Sequence, residues 1–315
     1  MQEFLDFERP IAELRARIDE LRRAPAGSEA GIDGEVERIG QKAEKLLAET
    51  YARLTPWQKT QVARHPHRPH FKDYVAGFVT DYLPLAGDRA FGDDQAIIGG
   101  LGRIGGRRVV VIGHEKGDDT PSRLRHNFGM AKPEGYRKAV RLMQLADRFR
   151  LPVVTLVDTA GAFPGVQAEE RGQAEAIARS TEQCLALRVP LVAAIVGEGG
   201  SGGAIALAAA DRVLMFEHAV YSVISPEGCA SILWRSNERA ADAAAAMRVT
   251  AADLQQLGVI DRIVPEPVGG AHRHPQAAIE TLRGAIEDAL DELAPLPAEQ
   301  VRHLRRAKFL KLGTI

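Results

Sequence analysis

The sequence is short of cysteine, with two in 315 residues, Cys184 and Cys229, far apart and without CxxC spacing. This argues against a cysteine zinc site or a disulfide framework and for packed thiols in a reducing compartment. No apolar run approaches the ~20 residues that cross a bilayer. Residues 1–9 carry Glu3, Asp6 and Glu8 and lack the apolar core of a signal peptide, so a cytoplasmic protein is expected. Charge of one sign is missing too: the formal net charge is -1, which gives the whole chain no electrostatic pull towards membrane or nucleic acid. Repeats and low-complexity tracts are absent. What remains, 45% hydrophobic and 26% charged residues, is the composition of a globular chain with a sizeable core.

Apolar spacing predicts two amphipathic helices within residues 4–54, broken at Pro25-Ala26-Gly27-Ser28, that pack on the main domain or a partner chain. His65, His67 and His70 follow, crowded by Pro66 and Pro69. With no acidic or cysteine ligand among them, they read as a loop or inter-chain contact and not as a metal site. Residues 88–94 look turn-like. Residues 96–101 and 108–113 predict an antiparallel hairpin. Residues 115–132 read as an irregular segment carrying Lys116, Arg123, Arg125, His126 and Lys132, either solvated or holding an anion. Pro133 then opens a helix with Tyr136, Val140, Met143, Leu145 and Phe149 on its apolar face.

Beyond this the pattern is regular: strand 153–157, loop 158–166, helix 168–187, strand 191–196, a glycine loop, helix 201–210 and strand 213–216. Short apolar strands alternating with helices mark a parallel sheet of right-handed βαβ units, an α/β fold. Both strand-to-helix loops fall at its carboxyl edge, where such folds bind ligands. Strands 220–224 and 260–264, short helices between them, a helix from Pro275 and a basic surface tail over 302–311 complete the chain. The expected units are a helical hairpin over 1–55, a main domain over 56–295 and a tail over 296–315.

The most informative stretch is Gly197-Glu198-Gly199-Gly200-Ser201-Gly202-Gly203-Ala204. A phosphate loop would need Lys and Ser or Thr after the last glycine, where Ala204-Ile205 stand. GxGxxG is satisfied by residues 197–202, with Glu217 near the distance expected for a ribose partner, but the pattern alone is weak. GxSxG is satisfied by residues 199–203, with His272 or His274 downstream, yet Gly197-Glu198 separate Ser201 from the expected strand end. The remaining reading gives the work to the backbone, with paired N–H groups at a helix start stabilising an oxyanion.

That stretch, together with Asp158-Thr159-Ala160-Gly161-Ala162-Phe163-Pro164-Gly165, Asn127-Phe128-Gly129-Met130, Pro133-Glu134-Gly135-Tyr136-Arg137-Lys138 and the run from Tyr221-Ser222-Val223 through Ser225-Pro226-Glu227-Gly228-Cys229 to Trp234, closely resembles the carboxyltransferase alpha subunit of bacterial acetyl-coenzyme A carboxylase. Asp88-Arg89-Ala90-Phe91-Gly92-Asp93-Asp94 and Pro265-Glu266-Pro267-Val268-Gly269-Gly270 extend the match, from the N-terminal helices to about residue 293. The resemblance implies a crotonase-like ββα superhelix with an N-terminal helical extension. It also implies transfer of a carboxyl group from carboxybiotin, borne by a biotin carboxyl carrier protein, to acetyl-coenzyme A, giving malonyl-coenzyme A for fatty acid biosynthesis.

Under that resemblance the Gly202 and Gly203 N–H groups hold the biotin ureido oxygen, while Gly199, Gly200, Gly161, Ala162 and Phe163 line the pocket. A beta subunit, in an alpha2beta2 assembly, holds the thioester oxygen and carries the zinc; no metal is expected on this chain, and ATP is consumed by a separate biotin carboxylase. The visible departure is His272-Arg273-His274, where the family more often has a small polar residue at the last position. Two alternatives stay open: a stand-alone crotonase-like enzyme using Glu198 as its acid or base, and a non-catalytic scaffold.

Overall fold

The computed structural model describes residues 4–23 and 29–313. The expected break at residues 25–28 lies outside them. Helices α1 (Arg9–Arg23), α2 (Glu29–Tyr51), α3 (Pro56–Ala63) and α4 (Phe71–Phe78) lead into strands β1 (Thr80–Pro84), β2 (Ile97–Ile104) and β3 (Arg107–His114). Helices α5 (Thr120–Arg125) and α6 (Pro133–Phe149), strand β4 (Val153–Thr159), helices α7 (Val166–Glu170) and α8 (Gln173–Ala186), strand β5 (Leu191–Gly200) and helix α9 (Ser201–Ala208) form the centre. Strands β6 (Arg212–Phe216) and β7 (Val220–Ser222), helices α10 (Pro226–Trp234), α11 (Ala240–Met247) and α12 (Ala251–Gln256), strand β8 (Arg262–Val264) and helices α13 (Pro275–Leu293) and α14 (Ala298–Lys311) follow.

The sheet runs β1-β2-β3-β4-β5-β6-β8, with β7 set against the end of β5. The β2–β3 hairpin is antiparallel as expected and turns on Gly105 and Gly106, both at positive φ. From β3 onward the pairs are parallel. Every residue of β4 and β5 is buried, as unbroken apolar runs in a two-sided parallel sheet must be. Strand β5 leaves the main sheet at its end: Glu198, Gly199 and Gly200 pair with Val220, Tyr221 and Ser222 of β7.

Several expectations are corrected. The helix read over 168–187 is two, α7 and α8, parted by Gly172 in the left-handed region. Residues 115–132 are not wholly irregular, because Asp119 accepts from the Ser122 N–H at 2.7 Å and nucleates α5. On α6 the buried stripe is Tyr136, Ala139, Leu142, Met143 and Ala146, whereas Phe149 is 62% exposed. Weighting residues by size hid a face where alanines let the helix lie close to β2 and β3. Within the histidine cluster His65 is buried and stacked on His272 at 3.9 Å, which joins loop 65–70 to loop 265–273, while His67 is exposed.

The N-terminal helices dock through Glu8, fully buried, which accepts from Tyr51 Oη at 2.8 Å and from Arg273 at 2.6 Å. The basic tail is likewise no loose surface segment. It is α14, pinned by Arg305, which is 1% exposed and donates to Asp211 and to the carbonyls of Cys184, Leu187 and Val189. Burial raises the Asp211 carboxyl above its ordinary range even against the Arg305 guanidinium. Removing one partner of a buried pair costs about 3–5 kcal/mol. Arg305→Ala is therefore expected to lose about 3 kcal/mol near pH 8. Without Arg305 the folded-state pKa of Asp211 lies still further above its unfolded value, so the loss shrinks on acidification and grows as pH rises. Urea unfolding at pH 5 and pH 8 checks both size and sign, and a pH-independent deficit would contradict the pairing.

Candidate active site

Helix α9 is closed at one end and open at the other. Its last-turn carbonyls accept side-chain hydroxyls, Leu207 from Thr155 at 2.7 Å and Ala206 from Ser180 at 2.6 Å. Its first turn has no side-chain cap, and the N-cap residue is Gly200. The N–H groups of Ser201, Gly202 and Gly203 have no intrahelical acceptor, and the helix dipole favours negative charge in front of them.

The glycine run differs from the expected loop. Residues 197–200 continue β5, Gly199 lies in the sheet between Thr159 and Tyr221, and the chain turns only at Ser201, whose φ is +53°. The objection that two residues separate Ser201 from the strand therefore falls: this is a strand-to-helix elbow. The hydrolase reading lacks its base contact, since among the described residues Ser201 Oγ makes no hydrogen bond to a histidine: His272 is committed to the His65 stack and His274 precedes α13. Burial drives His272 down to about 2 and keeps it neutral.

Close backbone approach explains the glycines. A Cβ on Gly200 would overlap the Ala160 carbonyl, and one on Gly203 would lie 2.7 Å from the Gly161 carbonyl carbon and 3.0 Å from the Ala162 nitrogen. Gly202 has more room, its nearest neighbour being the Ile177 side chain at 3.3 Å. The facing turn is fixed by Thr159 Oγ1, which donates to the Gly161 carbonyl at 2.7 Å and accepts its N–H at 3.1 Å. The structure thus brings Gly200, Gly202, Gly203, Gly161 and Ala162 together. Phe163 turns aside: its N–H donates to Ala131, its carbonyl accepts from Gln173, and its ring lies under Lys132 Nζ at 4.9 Å.

Behind the backbone site lies an ionic scaffold that sequence reasoning did not assign. Asp158 accepts the Glu198 N–H at 2.9 Å and pairs with Lys116 at 2.6 Å. Burial alone would raise its carboxyl, but Lys116, His70 and the Glu198 N–H together outweigh that and hold it below the ordinary range. Glu198 is gripped by Arg64 at 2.7 and 2.9 Å, and Arg64 also reaches Glu227. Arg68, 3% exposed, donates to the Val196 carbonyl and pairs with buried Glu266. Glu198, the candidate acid or base of a stand-alone enzyme, is thus ion-paired to Arg64. Lys116 was visible as a cation, and Asp158 as a carboxylate at a strand end; only their pairing was hidden.

A family described as acetyl co-enzyme A carboxylase carboxyltransferase-like matches residues 4–313. The chain belongs to this family. It is 72% identical over 313 residues to the acetyl-coenzyme A carboxylase carboxyl transferase subunit alpha of Rhizorhabdus wittichii, covering 99% of this chain and 100% of that one. With the protein of the same name from Zymomonas mobilis it shares 66% over 313 residues, with the same coverage. Among solved structures, a transcarboxylase 12S with methylmalonyl-coenzyme A bound aligns at a TM-score of 0.59 and 22% identity over 72% of this chain, which spans 42% of that polypeptide. A Pseudomonas malonate decarboxylase hetero-tetramer in complex with coenzyme A aligns at 0.56 and 18% identity, over 70% of this chain and 90% of that one. These likenesses establish the crotonase-like fold.

Because a Cβ at Gly203 meets backbone and one at Gly202 meets a movable side-chain end, Gly203→Ala is expected to cost about 1–3 kcal/mol by overpacking. Gly202→Ala is expected to cost less than about 1 kcal/mol, since its methyl group needs only a small side-chain shift. Equal losses in urea unfolding would show that the 159–162 turn yields as easily as Ile177.

Proposed function

We propose that this chain is the alpha half of a carboxyltransferase that moves a carboxyl group from carboxybiotin on a carrier protein to acetyl-coenzyme A, yielding malonyl-coenzyme A. The observation that carries this is the uncapped first turn of α9 facing the Gly161–Ala162 turn, with Gly202 and Gly203 N–H groups free to donate. Carboxybiotin, when bound, supplies the carboxyl group and a ureido oxygen that gains negative charge as that group departs. The residues present fit such a ligand: adjacent backbone donors on two glycines at an uncapped, positive helix end. Gly202 and Gly203 hold the oxygen. Gly161 and Ala162 shape the facing wall, and Asp158, Lys116 and Arg64 fix the path of residues 197–200 into α9.

The balance of the reaction is one carboxyl group against one proton: the acetyl methyl gives up a proton and gains the carboxyl, and the ureido nitrogen does the reverse. The thioester oxygen needs a second donor pair, which this reading places on a zinc-bearing beta subunit. Supporting this are three exposed apolar side chains that follow β7 in the chain: Val223, Ile232 and Leu233 are 83%, 72% and 62% exposed, the last two on α10.

Ser201→Ala removes no donor of the site, so an assembly of this chain with its beta partner is expected to keep malonyl-coenzyme A formation within about threefold. Gly202→Val, whose added bulk meets the Ile177 side chain and not backbone, is expected to lower kcat by about a hundredfold or more, the scale of one lost oxyanion donor, with an unchanged circular dichroism spectrum. Gly203 is the poorer probe, since any side chain there collides with backbone. An inactive Ser201→Ala enzyme with intact assembly would favour nucleophilic serine and overturn the reading.

A further inference from the structure

Two further cavities open beside the segment that joins β3 to α6, one on each side of α5. The first, about 260 Å³, is bounded by Lys116, Arg123, Asp158, Ala160 and Glu198, so it adjoins the ends of β4 and β5. The second, about 200 Å³, is bounded by Lys72, Arg125, His126, Lys138 and Asp93, with Leu85 and Ile98 as an apolar wall. Helix α5 is the partition, presenting Arg123 to one cavity and Arg125 to the other. The start of α4 does the same with His70 and Lys72.

The second cavity has an unbalanced charge. Its one lining carboxylate, Asp93, is taken by Lys138 at 2.5 Å, and Lys138 is nearly buried. Lys72 Nζ donates to His126 Nε2 at 3.0 Å, and His126 Nδ1 donates to the Gln95 carbonyl at 2.6 Å. These contacts hold the Lys72 ammonium in place without supplying a negative charge. Neither Lys72 nor Arg125 forms an ion pair among the described residues. Nearby, Arg141 donates to the carbonyls of Ala86 and Gly87 at 3.1 and 3.0 Å, with Asp93 and Asp88 close enough to act on its charge. Like charges held this close repel, and an arriving anion removes that repulsion. The volume lies below the ~300–1,000 Å³ of pockets that take a whole ligand, so it suits one group of a longer molecule.

We infer that this second cavity is a phosphate subsite, in which Arg125 and Lys72 hold a phosphate of coenzyme A while the acyl arm passes the first cavity towards the ends of β4 and β5. This rests on the reading of acetyl-coenzyme A as carboxyl acceptor. A planar guanidinium and an ammonium together are a common way to hold a phosphate ester.

The test uses this chain assembled with its beta partner, and compares acetyl-coenzyme A with acetyl-pantetheine, which lacks every phosphate. For Arg125→Glu and Lys72→Met, KM for acetyl-coenzyme A is expected to rise about tenfold while the gap between the two substrates narrows, and Arg125→Lys is expected to recover most of the loss. A KM that stays fixed, or that rises equally for both substrates, overturns the subsite. Calorimetric titration of the same proteins with coenzyme A and with inorganic phosphate supplies a readout independent of turnover. Weaker coenzyme A binding in Arg125→Glu supports the subsite even if the wild-type assembly makes no malonyl-coenzyme A, an outcome that would count against the functional reading alone. Inorganic phosphate binding as tightly as coenzyme A, and weakened equally, would assign the site to free phosphate and overturn the coenzyme A assignment.

Discussion

The structure depends on a helix that is anchored at its tail and bare at its head. Thr155 and Ser180 satisfy the last carbonyls of α9, so the helix cannot slide or fray at that end. Its first N–H groups are left for something outside the chain. The start is uncapped and reachable, with Ser201 exposed and Gly202 half-buried, so its N–H groups and the helix dipole are open to an anionic ligand. Glycine lets backbone pack on backbone at Gly200 and Gly203.

Holding such a site without side chains requires rigidity from behind. Three ion pairs, Lys116 with Asp158, Arg64 with Glu198 and Arg68 with Glu266, fix β5 and the strand ends beside it. Pairs this buried contribute little net stability over an apolar core, because desolvation offsets their attraction. Their value is directional: the Asp158 carboxylate to the Glu198 N–H and the Arg68 guanidinium to the Val196 carbonyl set where the strand turns. The same logic of a buried arginine gathering carbonyls docks α14 through Arg305 at the opposite end of the sheet.

Much of this was legible in the sequence. Strands β4, β5 and β6 showed as short apolar runs because both faces of a parallel sheet are buried, and Pro133 marked the start of α6 because proline suits a first turn. The pairing of the two strand-end turns followed from their common edge. Other features were not legible. Residues 197–200 looked like a loop because glycine is a poor strand former, yet they pair with β7, a partner some twenty residues on whose position depends on the whole fold. Arg305 read as a surface charge in a basic tail, since nothing local records that Asp211 waits beneath it. The ionic scaffold was hidden for the same reason: Arg64 and Glu198 lie far apart in sequence and meet only in the folded chain.

The central claim is that the backbone of Gly202 and Gly203 holds a ureido oxygen. The most direct measurement is the amide proton and nitrogen chemical shifts of these two residues, labelled with ¹⁵N in the assembly with the beta subunit, as biotin is titrated in. The account expects both amide protons to move downfield together and to saturate with one dissociation constant. Shifts confined to Ser201 or to residues away from α9, with Gly202 and Gly203 unmoved at saturation, would contradict it.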